Sequence, residues 1–332
     1  MVKFGINGIG RIGKYVLKFL LSKNIKPEWI NDSAGGIEIH RHLLEFDTVH
    51  GKWNADFSNN ATTISIDDKK LLFTGYNKIE ELKLDGIDIV LDCTGVYKSQ
   101  EKLKPYFDKG VKKVIVSAPI KEKEVANLVY GVNHEVYNPK KHKVITAASC
   151  TTNCLAPIIQ VIHNNIGIVH GSITTIHNTT NSQTLVDRPG KDLRRSRSSL
   201  NSLIPTTTGS ASAISLIYPD LKGKLNGHAV RVPLLNSSLT DCVFEVKRDT
   251  SKLEANNLFK EASESYLKDI LGYEEAQLVS ADYVNDDRSA VVDASSTMVI
   301  NKRQLKVYAW YDNEIAYAKR MVDIFEFVSS CI

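Results

Sequence analysis

The chain has 332 residues, 42% of them hydrophobic and 24% charged, with a formal net charge of +4. That length and balance fit two globular domains and exclude a disordered chain, a collagen-like repeat and a coiled-coil rod. No apolar run reaches the ~18 residues of a membrane span, the opening Met1–Gly5 lacks a signal-peptide pattern, and the five scattered cysteines make no disulfide framework, so the cytoplasm is the expected compartment. In chain order, Val2–Asn7 reads as a strand, Arg11–Ser22 as a helix and Glu28–Asn31 as a strand. Ile87–Thr94, Lys113–Ser117 and Lys143–Ala147 read as further buried strands. Strands alternating with helices predict a mostly parallel, doubly wound sheet. After Cys150 the pattern changes to long β-rich segments: Ser172–His177, His228–Val232, Ser238–Val246, Ala290–Ile300 and Leu305–Tyr311. With one amphipathic helix at Ser251–Leu267, they predict a second domain built on a mixed, largely antiparallel sheet. Asn313–Ser329 reads as a closing helix. No repeat or low-complexity linker separates the two parts.

Gly8-x-Gly10-x-x-Gly13 lies between the first strand and the first helix. Gly8 permits the tight turn, Gly10 lets backbone approach a pyrophosphate, and Gly13 lets the helix pack on the strand. The helix N-terminus offers free N–H groups to the anion. A generic glycine turn is the bland alternative. The strand–turn–helix context opposes it, and so does Asp32, which stands 19 residues after Gly13 where an acid receives a ribose 2′-hydroxyl. The Asp32 carboxylate would repel a 2′-phosphate, so NAD is expected over NADP.

Cys150 follows a β-run and opens a helical pattern, so it stands at a helix N-terminus where dipole and N–H groups favour a thiolate. Cys154 lies a turn deeper and fits an inert buried thiol. The Cys150–Cys154 spacing suits neither a C-x-x-C redox pair nor zinc, and no metal is expected. A thiol nucleophile needs a base within reach. His177 is the candidate, because it ends a β-run just before an irregular polar segment. Five basic residues crowd Arg188–Arg197. They read as a solvated loop, as a subunit contact, or as a site for substrate phosphate, which suits the arginine fork. A nucleic-acid patch is discounted, since aromatics are absent there. Thr206–Ala211, opening another helix, and Arg231, ending a β-run, are further anion-binding candidates.

Asn7–Gly13, Ser149–Pro157, Lys191–Arg195, Ile204–Gly209, Gly227–Pro233 and Trp310–Glu314 together resemble phosphorylating glyceraldehyde-3-phosphate dehydrogenase, over essentially the whole chain. The resemblance implies a Rossmann-type α/β NAD-binding domain at 1–149, completed by the C-terminal helix 314–332, and an α+β catalytic domain at 150–313. It implies Cys150 as nucleophile and His177 as general base. Gly8, Gly10, Arg11, Ile12, Asp32, Thr94, Ser117, Asn313 and Tyr317 match NAD-binding positions, Asn313 holding the nicotinamide carboxamide. Thr180 and Arg231 match the site for the C3 phosphate of glyceraldehyde 3-phosphate. Ser149, Thr151, Arg195, Thr208 and Gly209 match the site for attacking inorganic phosphate. The resemblance further implies a homotetramer, with Asn178–Leu203 at a subunit interface near NAD. Three positions depart from the family pattern: Ile315 and Ala316 stand where an aromatic residue and glycine are usual, and Arg188 where a small apolar residue is common before Pro189.

Asn31–Gly36, Leu225–Val246 and Ala281–Ile300 look most like the dehydrogenases of arsenate-resistance operons. That narrower likeness implies arsenate as an acyl acceptor and coupling to a membrane exporter of 1-arseno-3-phosphoglycerate. The rivals are an ordinary glycolytic or gluconeogenic enzyme, erythrose-4-phosphate dehydrogenase, which needs no phosphate acceptor, and a non-enzymatic NAD-binding or RNA-associated protein.

Overall fold

The structure, a computed structural model, describes residues 2–332. Two compact units emerge: the residues up to Ser149 together with Tyr317–Ile332, and Cys150–Ala316. No helix among the described residues is long and apolar enough to cross a membrane.

The first unit opens with β1 (Phe4–Asn7), α1 (Arg11–Ser22), β2 (Trp29–Asn31) and α2 (Ile37–Glu45). It continues through β3 (Phe57–Asn59), β4 (Thr63–Ile66), β5 (Lys69–Thr74), β6 (Ile89–Asp92) and α3 (Gln100–Asp108) to β7 (Lys113–Val116), β8 (Ala126–Asn127) and β9 (Val144–Thr146). The nine strands form one sheet in the order β3-β4-β5-β2-β1-β6-β7-β9-β8. Strands β5 to β8 of that order are all parallel, and β3–β4 is an antiparallel extension. The order reverses between β1 and β6, the crevice where doubly wound sheets take nucleotides. Helix α1 buries Gly13, Val16, Leu17, Leu20 and Leu21, a 3–4 spacing that makes one apolar stripe.

The sequence pattern placed no element between Asn31 and Ile87, yet α2 and β3–β5 lie there. The cause is local. Helix α2 leaves Ile39 and Leu43 exposed and so shows no clean core-facing stripe, and β3 and β4 are only three and four residues long.

The second unit holds α4 (Cys150–Asn165), β10 (Ile168–Asn178), β11 (Ile204–Thr207), α5 (Ser210–Ile217), β12 (Leu225–Val232), β13 (Ser238–Val246), α6 (Lys252–Glu264), β14 (Leu271–Glu274), β15 (Ala290–Ile300) and β16 (Gln304–Tyr311). Its sheet runs β11-β12-β10-β13-β16-β15-β14. It is mixed: β10–β12 and β14–β15 are parallel, the remaining pairs antiparallel. Helix α4 is apolar around most of its girth and is buried from Thr151 to Ile159. Strand β10 starts four residues earlier than its sequence pattern suggests, because β13 pairs with it from Ile168 and β12 joins on the other side from Gly171. The amphipathic helix begins at Lys252, with Ser251 capping it: the Ser251 hydroxyl accepts from Glu254 N–H.

The last helix, α7 (Ile315–Ser329), starts two residues after Asn313. Asp312 sets that start, its Oδ1 accepting from the backbone N–H groups of Glu314 and Ile315. From Tyr317 onward the chain belongs to the first unit, where the Phe325 ring lies 4.6 Å from that of Phe4.

Candidate active site

Cys150 is the first residue of α4, and Ala148 two residues before it takes a left-handed φ of 52°. The Cys150 Sγ lies 3.7 Å from His177 Nε2. Pairing on both sides keeps β10 extended, so Ile173, Thr175 and His177 alternate onto its buried face. The Nδ1 of His177 lies 2.8 Å from the Asn178 carbonyl oxygen, and Nη1 of Arg231 donates to that same oxygen at 2.9 Å. Arg231 Nη1 also stands 2.9 Å from Nδ1; with Nη1 donating to the carbonyl and the ring proton on Nδ1, Nε2 is left as an acceptor facing the sulfur. Burial, then the Arg231 charge, push His177 down to about 3, so the ring is neutral across the physiological range.

The sequence led us to expect a thiolate stabilised by the helix end. The N–H groups of Cys150 and Thr151 do pull the thiol pKa down, as does Arg231, but burial outweighs them and the thiol is raised. Cys154 is fully buried, 3.7 Å from Thr240 Oγ1, and pushed up to about 12 by burial.

Two groups of anion donors accompany the cysteine in this unit. In one, Arg231 Nη1 reaches Thr180 Oγ1 at 3.4 Å. In the other, Arg195 Nε donates to Thr206 Oγ1 at 2.8 Å and Nη2 to the Thr207 carbonyl at 3.4 Å. Thr208 follows, its Oγ1 accepting from Ser210 N–H, and Gly209 caps α5. Thr151 Oγ1 pairs with Tyr311 Oη at 2.8 Å, and the Tyr311 ring stands edge-on to His177. Asn313 is buried, and its Oδ1 has no hydrogen-bond partner.

In the first unit, Gly8 has a φ of +94°, and a Cβ there would come within 2.7 Å of the Cys93 backbone. A Cβ on Gly13 would meet the Gly8 carbonyl oxygen at 1.9 Å, so the helix reaches the turn only because residue 13 is glycine. Nothing lies within 4 Å of a Cβ built on Gly10, which leaves that backbone open to a ligand. Asp32 does more than its spacing suggested. Its Oδ2 accepts from Ile9 N–H at 2.8 Å and its Oδ1 from Ala34 N–H at 3.0 Å, tying the glycine turn to the loop after β2. Thr94 Oγ1 donates to Asp92, and Ser117 N–H donates to the Asp92 carbonyl. Tyr317 Oη donates to the Ala148 carbonyl at 3.1 Å. Ile12 and Ser149 are half-buried. Arg11 is engaged within the protein: its guanidinium and Lys14 Nζ both bind Asp47. Burial alone would raise the Asp47 carboxyl, but these two cations hold it well below the usual carboxylate range.

Comparison with known proteins fits this geometry. The family described as "Glyceraldehyde 3-phosphate dehydrogenase, NAD binding domain" matches residues 2–100, and "Glyceraldehyde 3-phosphate dehydrogenase, C-terminal domain" matches 149–313. Glyceraldehyde-3-phosphate dehydrogenase 3 of Nostoc sp. is 54% identical over 97% of both chains. The Geobacillus stearothermophilus glyceraldehyde-3-phosphate dehydrogenase is 44% identical over 99% of this chain and 98% of its own. The chain belongs to the glyceraldehyde-3-phosphate dehydrogenase family.

In this family member His177 and Arg231 meet at the Asn178 carbonyl, Cys150 faces the other nitrogen of His177, Thr180 contacts Arg231, and Arg195 joins the threonines before α5. Sequence reasoning missed Asn178, Tyr311, Asp312 and Asp47, while Thr206 stood among its anion-binding candidates. Tyr311 lay inside the Trp310–Glu314 motif and could have been singled out there. The Asn178 contribution is a backbone carbonyl and leaves no mark on composition or spacing.

Proposed function

We propose that the chain oxidises glyceraldehyde 3-phosphate with NAD through a thioester on Cys150, with inorganic phosphate as the acyl acceptor. The observation that carries this reading is Cys150 Sγ facing His177 Nε2 at 3.7 Å beside the Arg231 guanidinium. Cys150 sulfur attacks the aldehyde carbon while His177 Nε2 takes the thiol proton and returns it to the carbonyl oxygen, giving a hemithioacetal. Thr180 and Arg231 hold the substrate's C3 phosphate. When bound, NAD would supply the acceptor for the hydride of the hemithioacetal carbon. His177 removes the hydroxyl proton in the same step, and the Cys150 thioester results. Arg195, Thr208 and the N-terminus of α5, with Ser149 and Thr151, bind the phosphate that attacks the thioester, releasing 1,3-bisphosphoglycerate and freeing the thiol. That group favours a phosphorylating enzyme over erythrose-4-phosphate dehydrogenase.

The residues suit NAD. Gly10 leaves open backbone, Asp32 can accept from a ribose hydroxyl, and the orphaned Asn313 Oδ1 suits a carboxamide N–H. Thr94, Ser117 and Tyr317 complete our assignment of cofactor positions.

For the cellular role we keep arsenate beside phosphate. Arginine and hydroxyl donors read a tetrahedral oxyanion by charge and hydrogen-bond geometry, so the same site accepts either. The likeness of Asn31–Gly36, Leu225–Val246 and Ala281–Ile300 to arsenate-operon enzymes supports 1-arseno-3-phosphoglycerate as a product passed to an exporter. The glycolytic or gluconeogenic role rests on the family as a whole. We also propose a homotetramer: Leu185, Val186, Leu193, Leu200 and Leu203 are 64–87% exposed on one loop, more apolar surface than a monomer usually leaves in water. Five free cysteines suit a cytoplasmic location.

The test is NADH absorbance with purified protein, glyceraldehyde 3-phosphate, NAD and phosphate. Phosphate-dependent NADH formation supports the reading. NADH formed only with erythrose 4-phosphate and independent of phosphate defeats it.

A further inference from the structure

Four neighbouring parallel strands of the first unit each end on a polar residue: β5 on Thr74, β2 on Asn31, β1 on Asn7 and β6 on Asp92. Asn7, Asn31 and Asp92 are 4%, 2% and 0% exposed, too deep to touch a ligand. Their side chains are linked end to end. Asn31 Nδ2 donates to Asn7 Oδ1 at 2.8 Å, and Asn7 Nδ2 donates to Tyr106 Oη at 2.6 Å. Tyr106, fully buried on α3, donates to Asp92 Oδ2 at 2.9 Å. Donation runs one way along the row and ends on a carboxylate.

Both ends of the row hold loop backbone. Asn31 Oδ1 accepts from Thr74 Oγ1 and Tyr76 N–H, each at 2.8 Å, and Asn31 Nδ2 also reaches the Tyr76 carbonyl. Asp92 Oδ1 accepts from Thr94 N–H and Thr94 Oγ1, and Thr94 Oγ1 in turn accepts from Val96 N–H. The loops after β5 and β6 therefore share one polar row that passes beneath the glycine turn after β1.

We propose that Tyr106 and Asp92 are positioning residues for the bound dinucleotide, acting through Asn7 and Asn31 to hold the loops after β5, β2 and β6 in register. The inference rests on NAD binding at the Gly8–Gly13 turn. Removing the Tyr106 hydroxyl takes one partner each from Asn7 Nδ2 and Asp92 Oδ2 and leaves the two halves of the row joined only by the direct Asn7–Asp92 hydrogen bond.

The row also has a proton switch. A protonated Asp92 becomes a donor where the row needs an acceptor. Tyr106 Oη, already accepting from Asn7, then loses the acceptor for its own hydrogen. Burial lifts the Asp92 carboxyl to about 6. The titratable groups that face it are Cys93 and Tyr97 on the loop after β6 and Tyr106 on α3. Burial raises all three, and all are neutral at that pH. Glu80 and Glu81 act on Tyr97 from the segment before β6.

The experiment measures NAD affinity by calorimetry and steady-state kinetics on the full-length protein, for wild type, Tyr106→Phe and Asp92→Asn, between pH 5 and 8. Tyr106→Phe should raise Kd and KM for NAD about tenfold, with kcat and the KM for glyceraldehyde 3-phosphate nearly unchanged. Wild-type affinity should weaken as pH falls through about 6, and Asp92→Asn should lose that component. A merely structural role would lower the active fraction and melting temperature without this selective effect on NAD. Unchanged NAD affinity in folded Tyr106→Phe overturns the proposal. So does a wild-type pH profile retained by Asp92→Asn, which decides the matter if Tyr106→Phe does not fold. Failure of wild type to bind NAD at all would strike the cofactor assignment instead.

Discussion

His177 Nε2 faces the Cys150 sulfur at 3.7 Å, across 27 residues of sequence. The pair is a thiol beside a neutral imidazole whose second nitrogen is occupied. Such a pair moves a proton from sulfur to ring without placing a lasting charge in a buried site.

Cys150→Ser should abolish turnover while NAD still binds, because the glycine turn and Asp32 are untouched. His177→Asn should lower kcat by about 10²–10⁴-fold. Cys154→Ser should keep substantial activity, since that thiol is fully buried beside Thr240. Turnover assays and calorimetry decide this. Equal loss in the Cys150 and Cys154 variants, both folded, would defeat the assignment.

Arg231 lowers the pKa of the Cys150 thiol, against the larger opposing effect of burial. Removing its charge should leave the thiol harder to ionise. In Arg231→Leu, the pH at which iodoacetamide alkylates Cys150 at half its maximal rate should therefore move up. Mass spectrometry of the alkylated peptide keeps the reading on Cys150. A midpoint that stays or falls contradicts the electrostatic account.

Asp32 should make NAD the preferred cofactor, because a 2′-phosphate beside a carboxylate is repelled. Asp32→Asn should weaken NAD binding and narrow the preference. Arg188 stands where a small residue is common; if its cation softens the discrimination, Arg188→Leu should widen it. The measurement is kcat/KM with each cofactor. Equal efficiency of wild type with both, unaltered in Arg188→Leu, would remove Arg188 from the explanation.

Asp92 makes folding stability pH-dependent. Its carboxyl is held at about 6 in the folded protein, above the 3.8 of an ordinary aspartate. The folded state therefore binds the proton more tightly than the unfolded state. The resulting stability is present at low pH and lost as pH rises through 6, a change of about 3 kcal/mol over the whole window. Asp92→Asn lacks this titration. Its melting temperature relative to wild type should improve between pH 5 and pH 7.5. An offset equal at both pH values would show that the buried carboxylate carries no such cost.

Either oxyanion should support the reaction in vitro. With arsenate, NADH production should be sustained, because the acyl arsenate hydrolyses. With phosphate it should slow as acyl phosphate accumulates. In cells, the gene should confer arsenate resistance only beside an exporter of the arsenylated product. Unchanged arsenate sensitivity with both expressed favours the glycolytic or gluconeogenic role.

The sequence by itself determined what depends on near neighbours. The 3–4 stripe of α1, the glycines at its start and the β-run leading to a helix at Cys150 are local patterns that few backbones satisfy. The alternation of strands and helices before Cys150, and the long β-segments after it, carried the two architectures for the same reason. What burial and distant pairing control came only from the tertiary structure. Arg231 reaches His177 from 54 positions away because β10 and β12 lie side by side in parallel register. The thiol of Cys150, half-buried at the head of α4, is raised because desolvation by its neighbours outweighs the helix-end N–H groups and Arg231, a balance no helix-end motif encodes. Arg11 is bound to Asp47 because α1 lies against the segment after α2. The row from Asn31 to Asp92 exists because four strands scattered between residues 4 and 92 end at one edge of a sheet. Each strand carries one polar residue that looks unremarkable in sequence, and only their adjacency in the folded sheet makes them a single hydrogen-bonded unit.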